Sequence, residues 1–307
     1  MTRVSDAIEA WSAAADISAR SVLVTIFGDA ILPVTRTVWL SKLFELTAPF
    51  GFSQRLVRTS LSRLAGEGWV DSERIGRRSR YTLTPLAVRE SVDADHRIYG
   101  DTPPAWDRSW TLVVVDHPLA SQDERELLTR HLGWQGFVPL GRGVLASPVA
   151  SVAGVRELLD LIEPSAHPPV AVAELVDLNR LVADGFFAAA FQTDEIESAY
   201  RAFVETYQPL LAPTSGSMTA IEAFAIRTMV VHDLRRIRLR APDLPAELRP
   251  ANWIGDEAYR VAAELYRNVE ATSAAALGEI LEMDYPAAID GRFVSVPGGR
   301  TAEAKTG

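Results

Sequence analysis

Residues 53–64 read Ser-Gln-Arg-Leu-Val-Arg-Thr-Ser-Leu-Ser-Arg-Leu, a pattern that predicts a two-faced helix with Ser53 as its N-cap. One face is apolar and comprises Leu56, Val57, Ser60, Leu61 and Leu64. The other face is polar and comprises Gln54, Arg55, Arg58, Thr59, Ser62 and Arg63. Such a polar face fits a DNA major groove, where Arg and Gln reach base edges and Ser and Thr bind phosphate. A solvated surface helix is the alternative explanation.

A basic hairpin follows this helix and favours the DNA-binding interpretation. Trp69 to Ile75 and Ser79 to Leu83 have strand-like patterns, and Gly76 supplies the turn between them. Four arginines crowd this turn, namely Arg74, Arg77, Arg78 and Arg80. So much like charge on one hairpin is typical of a segment that meets a polyanion. Together the two segments predict the recognition helix and the wing of a winged helix-turn-helix.

Composition and charge restrict the possible functions. The chain has 307 residues, too many for one ordinary core, and no cysteine, which excludes disulfides and thiolate metal sites and favours a cytoplasmic location. The net charge is −9, yet residues 51–90 carry eight arginines against four acids, which leaves −13 for the rest of the chain. A basic module on an acidic body restricts DNA contact to that module. No apolar run approaches the ~20 residues of a membrane span, and no signal peptide is expected.

The order of predicted elements indicates an α+β multidomain chain. Residues 18–99 form the winged helix-turn-helix, which is followed by a linker rich in proline. Residues 106–180 show the order β-α-β-β-α-β, which is typical of a ferredoxin-like domain. Residues 181–285 show helical signals alone and form an all-helical effector or dimerisation domain. Residues 286–307 are rich in Gly, Pro and small side chains and are predicted to be a flexible tail.

Two blocks of residues resemble one known family. The N-terminal block contains Gly28-Asp29-Ala30, Val38-Trp39-Leu40, Pro49-Phe50-Gly51, Arg55-Leu56-Val57-Arg58-Thr59, Glu67-Gly68-Trp69 and Gly76-Arg77-Arg78-Ser79. The C-terminal block contains His232, Arg235-Arg236, Asp243-Leu244-Pro245, Leu248, Pro250, Trp253 and Gly255. On these motifs the chain resembles the PaaX family, repressors named for phenylacetic acid degradation. The middle third matches mainly by pattern.

The resemblance implies a homodimer that binds double-stranded promoter DNA and represses an aromatic-compound catabolic operon. It also implies release from DNA by an aryl-CoA thioester such as phenylacetyl-CoA, and a middle domain similar to the small CRISPR-associated spacer-acquisition nuclease. The C-terminal block departs from the family at Leu234, where an aromatic is usual, and at Ala241, where an Asp is usual. If these two positions touch the inducer, the resemblance predicts an acyl group other than phenylacetyl.

Four residues of the C-terminal block are candidate ligand contacts: His232, Arg235, Arg236 and Trp253. Arg235 and Arg236 lie near the end of a predicted helix, where cations complement the helix dipole, and they could equally hold the phosphates of coenzyme A. His232 fits a structural hydrogen bond as well as it fits a ligand contact. Trp253 fits a core anchor, and it could also stack on an aryl or adenine ring.

An enzyme is the alternative class of function. Asp116 follows the first strand of the middle domain, where the resemblance places a metal-binding Asp of the nuclease relatives, so this domain could be a metal-dependent nuclease. A lone Asp at a strand end is more often a cap or a turn residue. The sequence shows no nucleophile elbow, phosphate loop, dinucleotide fingerprint or paired metal-ligand spacing. It therefore predicts no catalytic residues, no metal and no cofactor.

Overall fold

The computed structural model describes residues 3–14, 17–100, 106–116, 118, 120–162, 168–174, 193–212, 218–241, 245, 248–249 and 253–293. Its N-terminal elements are α1 (Arg3–Ser12), α2 (Ala19–Ile26), β1 (Thr37–Trp39), α3 (Leu40–Thr47), α4 (Gln54–Gly66), β2 (Val70–Ile75), β3 (Arg78–Leu83) and α5 (Pro85–Tyr99). The middle elements are β4 (Ser109–Val114), α6 (Gln122–Trp134), β5 (Val138–Gly141), β6 (Val144–Ser147), α7 (Val152–Ile162) and β7 (Val170–Glu174). The C-terminal helices are α8 (Thr193–Tyr207), α9 (Ala220–Arg238) and α10 (Ile254–Leu281).

Side-chain caps begin α4 and α5 of the N-terminal part. Ser53 accepts a hydrogen bond from the Leu56 amide at the start of α4, and Thr84 caps α5 in the same way. Helix α2 continues into a π-helical segment, Phe27–Ile31, ahead of Pro33. The Ser53 cap therefore lies where the sequence pattern places it, because a cap depends on residues only three positions apart.

Three strands form a small antiparallel sheet behind α4. The order is β1-β3-β2, and Ile75 pairs with Arg78 at the end of the β2–β3 hairpin. The connection is therefore two residues long, Gly76 and Arg77. Gly76 has a φ of +61°, a conformation that glycine adopts without strain and that two-residue hairpin loops require.

The middle part is a four-stranded antiparallel sheet with two helices. The strand order is β5-β6-β4-β7, so the first and third strands of the unit are central and the second and fourth are edges. This is the order of a ferredoxin-like fold, and it agrees with the predicted β-α-β-β-α-β succession. The unit has an apolar cluster of its own, in which Val113, Leu128 and Val155 are completely buried.

The C-terminal helices share one apolar core with the N-terminal part. The core runs from Leu23 and Leu61 in the N-terminal part to Val230 in α9 and Ala262 in α10. Helix α9 is buried almost all round, because it packs against α1, α2, α5, α8 and α10. Within the described ranges, no helix is both long and apolar enough to cross a membrane.

A buried ion cluster joins the N-terminal part to the last described residues. Arg227 of α9 donates from Nε to Asp29 Oδ2 at 2.7 Å, and Arg292 pairs with the other carboxylate oxygen. Tyr99 donates its hydroxyl to Asp29 Oδ1 at 2.7 Å. Burial by itself would raise the pKa of Asp29, but the charges of Arg227 and Arg292 outweigh it and hold that pKa below its ordinary value. Asp29 is therefore a buried carboxylate with two buried cations.

The C-terminal tail differs from the prediction. Arg292 is buried in the ion cluster, and Phe293 packs against the rings of Tyr99, Tyr259 and Tyr266. Arg292 and Phe293 are therefore anchored, which departs from the predicted flexible tail at these two positions, because the composition of a segment does not show which of its side chains reach the core. Residues 294–307 lie outside the described residues.

We expect Asp29→Asn to lower the free energy of unfolding by about 3–5 kcal/mol, because it leaves two buried guanidiniums without their counter-ion. Urea unfolding followed by circular dichroism measures the change. The matched control is Glu282→Gln, which breaks the 2.6 Å pair with Lys42 at a largely exposed carboxylate. That change is expected to cost far less, because water and salt screen an exposed ion pair. Equal losses in the two variants would contradict a special role for the cluster.

Candidate nucleic-acid interface and arginine cleft

Helix α4 presents its polar face to solvent. Val57, Ser60, Leu61 and Leu64 are buried against the core. All six polar candidates are exposed, namely Gln54, Arg55, Arg58, Thr59, Ser62 and Arg63. Leu56 departs from the prediction, because its side chain is 45% exposed beside the polar face. At 100° per residue it stands at the edge of the apolar arc, where no neighbouring element covers it.

The hairpin holds three of its four candidate arginines at the surface. Arg74, Arg77 and Arg78 are exposed, and the Arg78 guanidinium lies over the Trp39 ring at 4.1 Å from its centroid. Arg80 is half-buried and donates to Glu73 at 2.7 Å. Arg80 is therefore partly neutralised, and the three exposed arginines supply most of the unpaired charge of this hairpin.

A second basic surface lies where the middle part meets the rest of the chain. A cleft of about 550 Å³ is lined by α2, α9 and the segment from α6 to β5. Five arginines line it, and no acidic side chain does: Arg20, Arg130, Arg235, Arg236 and Arg240. At the rim of the cleft, Arg20 pairs with Glu67, which follows α4. We name this surface the arginine cleft, and its charge suits an anion with several phosphate groups.

Arg235 is the most enclosed cation of the arginine cleft. Its Nη2 donates to the carbonyl oxygen of Ser21 at 3.2 Å and to the Ser21 hydroxyl at 3.0 Å. Burial and the neighbouring Arg20 lower the pKa of Arg235 to about 10, so the side chain stays protonated at neutral pH. Its Nε is buried and has no hydrogen-bond partner among the described residues. The Nε–H group of Arg235 therefore remains able to donate a hydrogen bond to an anion in the cleft.

The other two ligand candidates lie away from the arginine cleft. His232 is completely buried, with Nδ1 at 3.1 Å from Thr25 Oγ1. Burial and the charges of Arg235 and Arg236 hold its pKa well below the usual range, so the ring is neutral. Trp253 precedes α10, and its ring meets Tyr200 edge to face at 5.6 Å. The structure thus gives both residues contacts within the protein.

The two departures from the family pattern do not line the arginine cleft. Leu234 is completely buried in the shared core. Ala241 is buried as well, and its carbonyl oxygen accepts a hydrogen bond from Arg97 at 2.7 Å. The inference of a different acyl group rested on these positions touching the inducer, and the structure removes that basis. Both sites pack against protein instead.

Asp116 lies apart from other metal-binding side chains. Its carboxylate is 60% exposed and lies 3.6 Å from the Arg125 guanidinium. In the part of the chain that the structure describes, no three His, Asp or Glu side chains converge as they would to hold a metal ion. This geometry does not favour a two-metal phosphodiesterase site.

Comparison with known proteins places the chain in a family. Three family models match it in order: PaaX-like protein over residues 18–86, PaaX protein central Cas2-like domain over 103–180, and PaaX-like protein C-terminal domain over 191–279. The transcriptional repressor PaaX of Escherichia coli (strain K12) is 32% identical over 279 residues, which cover 87% of this chain and 85% of the relative. The chain belongs to the PaaX family. The resemblance seen in its sequence motifs is confirmed.

A solved structure also resembles this PaaX-family chain. An uncharacterized protein from Mycobacterium tuberculosis is 22% identical, and the match covers 86% of this chain and 97% of that protein with a TM-score of 0.43. The family assignment rests on the sequence matches alone.

Sequence reasoning missed three members of the arginine cleft. Arg20 and Arg130 lie on α2 and α6, more than a hundred residues apart, and Arg240 follows the end of α9. In the sequence, a basic cluster can be recognised only at the end of α9, where the arginines follow one another closely. The convergence of α2, α6 and α9 depends on the tertiary fold of this PaaX-family chain, so no short stretch of the sequence predicts it.

Proposed function

We propose that this chain is a DNA-binding transcriptional repressor, and that α2, α3, α4 and the β2–β3 hairpin act as a winged helix-turn-helix. The observation that carries the proposal is the exposed polar face of α4 beside three exposed hairpin arginines. The curated relative, at 32% identity, is named a transcriptional repressor. In this arrangement α4 enters the major groove, while Arg77 and Arg78 follow the phosphates or the minor groove.

The DNA-facing side chains have divided roles. Gln54, Arg55 and Arg58 are long enough to reach base edges from the first turns of α4. Arg58 also lies over the Phe44 ring, 4.9 Å from its centroid, which limits the orientations that its guanidinium samples. Thr59, Ser62 and Arg63 suit phosphate contacts along the same face. Arg80 supports the hairpin through Glu73 and contributes less to binding.

The effector proposal rests on the arginine cleft. The effector is an aryl-CoA thioester such as phenylacetyl-CoA, and the regulated genes serve the catabolism of an aromatic compound. Coenzyme A carries a pyrophosphate and a 3′-phosphate, and the cleft brings five guanidiniums to one place without an acid among its lining residues. The rest of the chain outside residues 51–90 is acidic, so an anionic ligand needs a local cationic surface of this kind.

A steric mechanism follows from the position of the cleft. One wall belongs to α6 and β5, and the other belongs to α2 and α9, which are packed around the DNA-binding helices. An anion that draws the two walls together changes the angle between the middle part and the DNA-binding part. In a homodimer this movement re-spaces the two recognition helices, so that both half-sites can no longer be met.

The DNA-binding face predicts a specific salt response. Arg77→Ala is expected to weaken binding to operator and to unrelated DNA alike, and to lower the slope of log affinity against log salt by about one, because one phosphate contact is lost. Fluorescence anisotropy on a promoter fragment at several salt concentrations measures the slope. The control is Arg156→Ala, an exposed arginine on α7 with the same change of charge. An unchanged slope for Arg77→Ala would remove Arg77 from the interface.

The arginine cleft predicts which part of the effector supplies the affinity. Arg130→Ala combined with Arg240→Ala is expected to weaken phenylacetyl-CoA binding at least tenfold, since two exposed guanidiniums leave the cleft. Isothermal titration calorimetry compares this variant with Arg156→Ala. Free phenylacetate lacks the phosphates and is expected to bind far more weakly than its CoA ester. Tighter binding of the free acid would refute the phosphate role.

A homodimer is expected because one recognition helix reads too few base pairs for genomic specificity. Sedimentation of the full chain at micromolar concentration is expected to show a dimer, with or without the Arg77→Ala change. Truncation before residue 100 is not a usable test, because α9 and α10 would lose the core that they share with α1, α2 and α5. A clean monomer that still binds operator at full affinity would contradict the dimer.

A further inference from the structure

A chamber of about 910 Å³ lies between α1, α8 and α9. Five alanines line two of its sides, three of them on or just after α1 and two on α8: Ala7, Ala10, Ala14, Ala199 and Ala202. Longer side chains at these positions would fill the space between α1 and α8. The volume is within the range of small-molecule sites, roughly 300–1,000 Å³. We name it the alanine chamber.

The interior of the alanine chamber suits an apolar or aromatic group. Trp11, Phe203 and Met229 are buried side chains of its wall. Three polar groups of the wall are engaged with one another, because Asp233 Oδ2 accepts from Trp11 Nε1 at 2.9 Å and from the Tyr207 hydroxyl at 2.7 Å. The charged side chains of Glu195, Arg236 and Arg240 also belong to the lining. An apolar occupant therefore leaves these hydrogen bonds intact.

The alanine chamber and the arginine cleft share two arginines. Arg236 and Arg240, one helical turn apart at the end of α9, line both spaces. A molecule whose phosphates bind these guanidiniums in the cleft can pass its other end around them into the chamber. The pair of spaces is thus complementary to a molecule with an anionic end and an apolar end.

We propose that the alanine chamber holds the acyl group of the effector, while the arginine cleft holds its phosphates. This inference rests on the proposed acyl-CoA effector and adds the place of the acyl group. It also assigns the specificity for the acyl group to α1 and α8, and not to Leu234, Ala241, His232 or Trp253, none of which lines the chamber.

Trp11 connects the chamber to the DNA-binding face. Its indole is a chamber wall on one side, and on the other it contacts the Phe50 ring with centroids 5.5 Å apart. Phe50 ends the 3-10 segment Ala48–Phe50, three residues before the Ser53 cap of α4. An acyl group that packs against the Trp11 indole tilts the ring about its hydrogen bond to Asp233, and this tilt shifts Phe50 and the start of the recognition helix. Occupancy of the chamber weakens DNA binding by this route.

The test of the acyl site fills the chamber without touching the cleft. Ala199→Phe, and separately Ala202→Trp at the exposed rim of α8, are expected to weaken phenylacetyl-CoA binding at least tenfold in calorimetry and to leave the binding of coenzyme A itself within threefold. The control is Ser198→Phe, an exposed position on α8 outside the chamber lining, which is expected to bind both compounds like the wild type. Ala202 is exposed, so its variant tests the site even if Ala199→Phe fails to fold.

The outcomes separate this inference from the proposed function. If the wild type binds phenylacetyl-CoA and both filled variants bind it equally well, the chamber assignment is overturned while the effector proposal stands. If the wild type binds neither phenylacetyl-CoA nor coenzyme A, the effector proposal fails and the chamber assignment fails with it. Loss of coenzyme A binding in the filled variants also overturns the separation of the two spaces.

The coupling route has its own test. Phe50→Leu removes the ring that meets Trp11 and leaves the chamber lining unchanged. It is expected to bind phenylacetyl-CoA within threefold of the wild type. The loss of operator affinity that saturating effector causes is expected to shrink at least fivefold, measured by anisotropy. An unchanged loss of operator affinity would overturn the Trp11–Phe50 route.

Discussion

The neutralisation of one buried carboxylate by two buried guanidiniums underlies the architecture of this chain. Asp29 lies in the π-helical segment that continues α2, Arg227 belongs to α9, and Arg292 follows α10. Three segments that are distant in the sequence must therefore meet with their charges matched. The cluster also recruits the hydroxyl groups of Tyr99 and Tyr266. A buried ion without its partner destabilises the fold by several kcal/mol. Any other packing of these segments, in which the charges did not meet, would therefore be less stable. The N-terminal helices and the C-terminal helices consequently share one core.

Helix α5 links that body to the middle part. Its Glu90 is paired with His131 of α6, and its Arg89 donates to Glu157 of α7 at 2.5 Å. At the other end, Arg97 donates to the carbonyl oxygens of Arg238 and Ala241, just beyond the arginine cleft. Since α5 follows strand β3 after one residue, a single helix connects the hairpin with both the middle part and the end of α9.

Local patterns in the sequence anticipated much of the fold. The Ser53 cap, the polar face of α4, the Gly76 hairpin and the ferredoxin-like order of the middle part all depend on residues close together in the chain. Helix α1 was not anticipated, although it forms a wall of the alanine chamber. Leu56 was assigned to the apolar face and lies exposed, because its burial depended on whether a neighbouring element covers the edge of that face.

By itself the sequence determined the family, the solvent-exposed polar face of α4, the Ser53 cap and the Gly76 turn. These features arise from hydrogen bonds and periodicities that span a few residues, so short stretches of the sequence are enough to predict them. The tertiary structure alone decided that Arg20, Arg130 and Arg235 line one cleft, that His232 is enclosed, and that Arg292 is anchored to Asp29. Those juxtapositions join residues separated by a hundred positions or more. They exist only because apolar burial and the pairing of buried charges select one packing of the helices.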